Sequence, residues 1–118
     1  MILTKQEMFD KVAVHLLTQG KRSTQGTSCA YRGDGGLKCA IGCLIPDERY
    51  SRDLEGEAAS TWPVREAAGF DISLSEFATA LQQMHDDCAP DEWLGQLAAE
   101  AEYYHLSPAC LAPFEATP

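Results

Sequence analysis

The chain has 118 residues, 45% of them hydrophobic and 23% charged, which suffices to bury one core but not two independent ones. We therefore expect a single domain over residues 1–118. Apolar runs such as Cys39–Ile45 are far shorter than the roughly 20 residues of a membrane-spanning helix, and the first residues lack the basic and apolar regions of a signal peptide. Five cysteines without the density of a secreted disulfide framework favour free thiols, so we expect a cytoplasmic protein with no membrane contact.

The net charge of −9 is concentrated in the second half of the chain. Residues 1–50 carry seven Lys/Arg and five Asp/Glu, which gives +2, whereas residues 51–118 carry two and thirteen, which gives −11. A negative field of this size repels nucleic acid and attracts basic protein surfaces. We therefore expect no direct nucleic-acid binding, while the simplest alternative is that the charge serves solubility alone.

The first predicted element is a helix that begins after Thr4. Glu7 follows Thr4 at the spacing of a capping box, and Gly20 provides a C-terminal cap. Apolar residues recur at the spacing of one buried helical face: Phe9, Val12, Ala13, Leu16 and Leu17. The polar stretch Lys21–Ser28 that follows indicates an irregular connection.

A β-hairpin is predicted over about residues 28–42. Apolar residues alternate on both sides of a glycine-rich turn, a pattern typical of two short antiparallel strands. In the simplest register Tyr31 faces Leu37 and Cys29 faces Cys39, because the numbers of opposed residues sum to a constant. The predicted fold class is therefore α+β, mainly helical, with this one hairpin.

Proline and glycine delimit the short elements that follow. Pro46–Tyr50 indicates a single helical turn that starts on proline. A short helix is predicted over Pro63–Ala68, because Thr61 suits its N-cap and Gly69 suits its end.

Two helices of the last third are expected to form an antiparallel hairpin. Ser73 and Glu76 have the spacing of a second capping box, and Pro90 starts a new helix. The apolar stripes are Phe77, Leu81, Met84 and Cys88 on the first helix, and Trp93, Leu94, Leu97, Ala98, Ala101 and Tyr104 on the second. We expect the tail to anchor on the core through Cys110, Leu111 and Phe114.

One enzymatic hypothesis rests on Cys39 and His85. Cys39 would be the nucleophile of a small hydrolase or transferase, His85 its general base, and Asp86 or Asp87 the group that orients the imidazole. The alternative, which we favour, is that Cys39 and Cys43 are small apolar core residues, because no cysteine-hydrolase motif surrounds either one.

Metal and redox chemistry are less favoured by the spacing. Zinc sites use close pairs of ligands, and Cys39 with Cys43 is the one such pair in the sequence. We therefore predict no metal and no cofactor. A disulfide between Cys29 and Cys39 would fit the predicted hairpin register, but a reducing compartment opposes its persistence.

Clustered carboxylates are the candidate binding residues. None of the clusters has the spacing of a calcium loop, and such residues usually form a solvated face. A contiguous acidic face can also compete with nucleic acid for a basic groove. The candidates are Asp53, Glu55, Glu57, Asp86, Asp87, Asp91 and Glu92.

Two segments carry a family resemblance: Cys39–Tyr50, which reads CAIGCLIPDERY, and Leu81–Asp86, which reads LQQMHD. With them the chain resembles a family of small proteins of proteobacterial and phage genomes. The resemblance implies no activity, so no catalytic residue is carried over. It implies a setting in which small acidic proteins bind host proteins, including nucleic-acid-binding defence complexes. The expected function is that of a non-enzymatic inhibitor, of the anti-CRISPR or another anti-defence type, whose partner is a host protein with a basic surface.

Overall fold

The computed structural model describes residues 2–26 and 28–115, and 63% of the described residues are helical. Within them, two short antiparallel strands and five α-helices form one body: β1 (Thr24–Gln25), β2 (Ser28–Cys29), α1 (Lys5–Gln19), α2 (Trp62–Ala68), α3 (Ser75–Asp87), α4 (Trp93–Tyr103) and α5 (Ala112–Glu115). The radius of gyration is 13.4 Å, close to the roughly 13.5 Å of a compact domain of this length. The mainly helical prediction is confirmed.

Both predicted ends of α1 are confirmed. The hydroxyl of Thr4 accepts the N–H of Glu7 at 3.1 Å, and the Glu7 carboxylate accepts the N–H of Thr4 at 2.9 Å. At the other end Gly20 adopts a φ of 66°, and its N–H donates to the carbonyl of Leu16. The buried face of the helix consists of Met8, Phe9, Val12, Ala13 and Leu16, and it packs on α3 and α4.

The predicted antiparallel pair of helices is formed by α3 and α4. His85 near the end of α3 stacks on Trp93 at the start of α4, with ring centroids 5.5 Å apart. Phe77 near the start of α3 meets Tyr104, just beyond the end of α4, edge to face at 4.7 Å. The two helices therefore run in opposite directions, joined through a 3₁₀ turn at Pro90–Glu92.

The capping box predicted at Ser73 and Glu76 is wrong. A 3₁₀ turn, Ile72–Leu74, precedes α3, and the carboxylate of Asp71 accepts the N–H of Ser73 at 3.0 Å. Asp71 therefore takes the capping role, since its side chain reaches the first N–H groups of this turn.

The hairpin predicted over residues 28–42 does not form as a sheet. A single β-bridge, between Arg32 and Lys38, joins its two arms. The N–H groups of Tyr31 and Arg32 instead donate to the carboxylate of Glu55, at 2.9 and 3.0 Å. A side chain thus takes the place of the partner strand, which apolar alternation alone cannot reveal.

The register at the bridge also differs from the predicted one. Tyr31 lies opposite Cys39, whose N–H donates to the Tyr31 carbonyl at 3.3 Å, and not opposite Leu37. Cys29 pairs with Thr24 in the short β1–β2 ladder. The pairing of Cys29 with Cys39, on which a disulfide would have depended, is therefore wrong.

The connecting segment, residues 21–60, consists mainly of short turns. Its described 3₁₀ turns are Asp34–Gly36, Gly42–Leu44, Asp47–Arg49 and Arg52–Leu54. The turn after Pro46 confirms the predicted one. The helix α2 starts one residue before the predicted Pro63 and ends at the predicted Ala68, where Gly69 caps it with a φ of 84°. Thr61 occupies the N-cap position, but its hydroxyl donates back to the carbonyl of Ala58.

The tail anchors on the core mainly through Leu111, which is fully buried, whereas Cys110 and Phe114 are half-buried. Among the described residues, no helix has the length and apolar character that crossing a membrane requires.

Candidate functional site

A cleft of about 360 Å³ lies between the connecting segment and the exposed face of α3. One wall is formed by residues 29–31, the other by residues 55–59, and α3 supplies the floor. The floor residues are Thr79, Gln82, Gln83 and Asp86. Their spacing of three and four positions places them on one side of the helix, opposite its buried apolar stripe. We call this site the acidic cleft.

Glu55 holds the two walls of the acidic cleft together. Its Oε1 accepts the N–H of Tyr31, and its Oε2 accepts the N–H of Arg32 and the hydroxyl of Tyr50, the last at 2.6 Å. The hydroxyl of Tyr31 in turn donates to the carbonyl of Glu57. Burial and the neighbouring Glu55 carboxylate raise the pKa of Tyr50 to about 12, so this phenol keeps its proton at neutral pH. The walls are thereby fixed to each other.

His85 lies fully buried behind the floor of the cleft. Its Nε2 is 3.0 Å from the backbone N–H of Ser23, which can only donate, so Nε2 must be the unprotonated acceptor. The proton of the neutral ring therefore sits on Nδ1, which donates to Oδ1 of Asp86 at 2.8 Å. This arrangement fixes the tautomer of His85 and orients Asp86 at the cleft surface.

Asp86 receives several hydrogen bonds. Burial alone would raise its pKa, but the bonds from His85, from the amide of Gln82 at 2.9 Å and from the thiol of Cys29 hold the pKa below its ordinary value. Burial and the Asp86 carboxylate in turn raise the pKa of Cys29. Asp86 is therefore a stable carboxylate, and the exposed thiol beside it keeps its proton and is a poor nucleophile.

The geometry does not favour the hypothesis that Cys39 and His85 act as nucleophile and base. Cys39 is 0% exposed, and burial raises the pKa of its thiol well above the usual range. Its Sγ accepts the N–H of Gly42 at 3.2 Å. Both ring nitrogens of His85 are bonded to other groups, Ser23 and Asp86. Cys43, whose thiol donates to the carbonyl of Ala40, is half-buried, and burial raises its pKa to about 12.

One group of side chains has the proximity of a metal site. The ligand atoms of Cys29, His85 and Asp86 lie within 4.8 Å of one another. The nitrogen that faces the other two is Nδ1 of His85, which carries the proton because Nε2 accepts from Ser23. A metal would have to displace that proton or break the bond to Ser23, so the hydrogen-bond pattern does not favour metal coordination.

The structure brings three of the seven acidic candidates together. Glu55, Glu57 and Asp86 line the acidic cleft. The others lie outside it: Asp53 in the turn before it, Asp87 at the end of α3, and Asp91 and Glu92 before α4. Glu92 caps the turn there by accepting the N–H of Ala89 at 2.8 Å. Four of the seven candidates therefore lie outside the acidic cleft.

Sequence reasoning missed Ser23, Tyr31 and Gln82. Gln82 accepts the N–H of Ile41 and donates to Asp86, so it joins the connecting segment to the floor of the cleft. Its position in a polar stripe of α3, opposite the apolar one, was the available signal. No sequence signal distinguishes Ser23, a buried residue in a polar stretch.

Comparison with known proteins yields no relative of this chain: no family model, no curated protein and no solved structure matches it.

Proposed function

We propose that the protein is a non-enzymatic binding protein that engages a basic protein surface through the acidic cleft. The observation that carries the proposal is the charge of the cleft lining: Glu55, Glu57 and Asp86 contribute carboxylates, and no Lys, Arg or His of the described residues lines it. Arg22 lies near Cys29 but does not line the cleft, and its guanidinium donates to the carbonyl of Cys88 at 2.6 Å. An arriving cation therefore meets attraction from several sides.

Two of these carboxylates are available for a partner. Glu55 is used by three internal donors, whereas no hydrogen bond or ion pair within the described residues engages the carboxylate of the exposed Glu57. The hydrogen bonds from Gln82 and His85 both reach Oδ1 of Asp86, and neither of them occupies Oδ2. A lysine or arginine side chain entering between Glu57 and Asp86 would therefore pair with one carboxylate that is already oriented, that of Asp86, and with one that has no internal partner among the described residues, that of Glu57.

The weakness of single ion pairs indicates what kind of partner the acidic cleft would bind. An exposed ion pair contributes only about 0–1 kcal/mol, so useful affinity needs several cations presented together. Proteins that bind nucleic acids have such surfaces, and a protein that covers one of them blocks access of the nucleic acid. Inhibition of a host nucleic-acid-binding protein, as in anti-defence systems, is the biological role that we propose on this basis.

Co-purification from native cells tests this proposal. The tagged protein is compared with the variants Glu57→Gln and Asp86→Asn, and with Glu48→Gln and Asp53→Asn, which remove the same charges outside the cleft. We expect a basic protein to co-purify with the wild type and both controls, and its yield to fall about two- to fivefold with each cleft variant. Equal losses in all four variants, or no partner at all, would contradict the proposal. Circular dichroism confirms that each variant is folded.

A further inference from the structure

The acidic cleft is one end of a longer groove on the exposed face of α3. A second cavity of about 360 Å³ shares Thr79 and Gln83 with the cleft. A third cavity of about 350 Å³ shares Glu76, Ala80 and Tyr104 with the second. The three cavities are therefore neighbours along α3, and we call them together the α3 groove.

The floor of the α3 groove is a single helical face. Glu76, Ala80, Gln83 and Asp86 follow one another at intervals of three and four positions, so their side chains project to the same side. The last lies ten positions after the first, which corresponds to about 15 Å along the helix. The opposite face of α3 is buried in the core, whereas this face forms the partly exposed floor of the three cavities.

Charge is placed at both ends of the groove. Glu57 and Asp86 lie at one end, and Glu76 and Glu100 at the other, with the uncharged Thr79, Ala80 and Gln83 between them. No Lys, Arg or His of the described residues lines any of the three cavities. Burial raises the pKa of Glu100, so a cation that arrived there would stabilise its charged form.

The far end also offers an aromatic surface. Tyr103 is 72% exposed, and its ring meets that of Tyr104 edge to face at 4.9 Å. The ammonium of Lys5 already lies 5.0 Å from the centre of the Tyr104 ring, although Lys5 lines none of the cavities. The exposed ring of Tyr103 provides a second surface on which a cation can stack.

We infer that the α3 groove takes a linear segment of the partner with two basic side chains about 15 Å apart and small residues between them. One basic side chain would lie between Glu57 and Asp86, and the other beside Glu76, in the cavity that Glu100 and Tyr103 also line. The inference rests on the proposed function and specifies the part of the partner that is recognised. A second copy of this chain, or a nucleic acid, would bring negative charge to a groove whose ends are negative.

Peptides with variable charge spacing test the inference. Short fluorescent peptides of Gly, Ser and Ala, each with two arginines, are titrated with the protein, and binding is followed by anisotropy. An extended chain rises about 3.3 Å per residue, so affinity should be highest when the arginines are four or five positions apart. If the bound peptide is helical, the optimum should lie near ten positions. An optimum at either spacing supports the groove, whereas affinity independent of spacing overturns it.

Matched variants separate this inference from the proposed function. Glu100→Gln should weaken the best peptide about two- to fivefold and flatten its spacing optimum, whereas Glu102→Gln, which removes the same charge two residues further along α4 and outside the groove, should not. Tyr103→Ala should weaken binding, and Tyr103→Phe should restore it because the ring is kept. If Glu57→Gln abolishes co-purification of the partner but Glu100→Gln and Tyr103→Ala change nothing, the groove is refuted and the acidic cleft remains.

Discussion

The helices α1, α3 and α4 and the connecting segment are stabilised in different ways. The helices bond their own backbone groups internally and meet through apolar stripes. In the connecting segment, several backbone N–H groups depend on distant side chains: that of Ser23 on His85, and that of Ile41 on Gln82. A buried donor that loses its acceptor costs about 1–3 kcal/mol. The conformation of the connecting segment, and with it one wall of the acidic cleft, therefore depends on a few individual residues.

The connecting segment also contains two places where backbone packs directly against a glycine. A Cβ atom at Gly42 would lie 2.0 Å from the carbonyl oxygen of Tyr31, and one at Gly33 would lie 2.5 Å from that of Thr24. Real Cβ atoms do not approach backbone atoms this closely, so these positions accept no side chain without movement of the chain. In α4, by contrast, a Cβ at Gly95 would meet nothing within 4 Å.

The same substitution should therefore have opposite effects in the two regions. We expect Gly42→Ala to lower the free energy of unfolding by more than about 3 kcal/mol, because the added methyl group forces Tyr31 away from the turn. Gly95→Ala should raise it by up to about 1 kcal/mol, because alanine favours the helix. Urea denaturation followed by circular dichroism measures both. A loss below about 1 kcal/mol for Gly42→Ala would show that the connecting segment adapts easily.

Substitution of His85, where the two regions meet, should have the next largest effect. His85→Ala leaves the buried N–H of Ser23 without an acceptor and opens a cavity beside Trp93, so we expect a loss of about 3 kcal/mol. His85→Gln should lose less, because the side-chain oxygen of glutamine can accept that N–H. Helix propensity alone would make His85→Ala the more stable variant, because alanine is the better helix former. A smaller loss for His85→Gln would therefore not come from helix propensity. Equal losses in urea denaturation would refute the assigned role of the His85–Ser23 bond.

The sequence allowed the helices to be predicted because their signals are local. The capping box of Thr4 and Glu7, the glycine after α1 and the apolar stripes of α3 and α4 all act within a few residues. The prediction of the hairpin was wrong because the interaction that replaces it is not local. The acceptor for the N–H groups of Tyr31 and Arg32 is Glu55, more than twenty positions away, and no periodicity links a turn to one distant carboxylate.

The sequence indicates which residue types could form the candidate site, but it does not indicate which of them meet in the folded chain. Composition indicated carboxylates of the second half as candidate binding groups, and Glu57 and Asp86 line the cleft. Composition cannot distinguish them from Asp53 or Asp91, because only the folded chain decides which acidic residues meet. His85 is a candidate general base on sequence grounds because imidazole can take up a proton. In the folded chain both of its ring nitrogens form hydrogen bonds, one with Ser23 and one with Asp86.

The smallest of the expected effects concerns Asp86, whose side chain is 35% exposed and partly screened by solvent. The bonds from His85, Gln82 and Cys29 hold its pKa in the folded protein below the ordinary 3.8. The folded state therefore binds this proton less readily than the unfolded chain does. The resulting stabilisation is complete above about pH 5 and is lost as the pH falls through the folded-state pKa.

Asp86→Asn removes this titration but keeps an oxygen that can accept from Nδ1 of His85. The difference in unfolding free energy between wild type and variant should be constant from about pH 7 to 5 and should shrink steadily from about pH 4 to 3. Urea denaturation at each pH measures it. The other titrating groups are present in both proteins, and among them His85 and Cys29 lose a charged neighbour in the variant. A difference that stays constant down to pH 3 would mean that the bonds do not favour the carboxylate. Asp86 would then not be the preorganised acceptor that the acidic cleft requires.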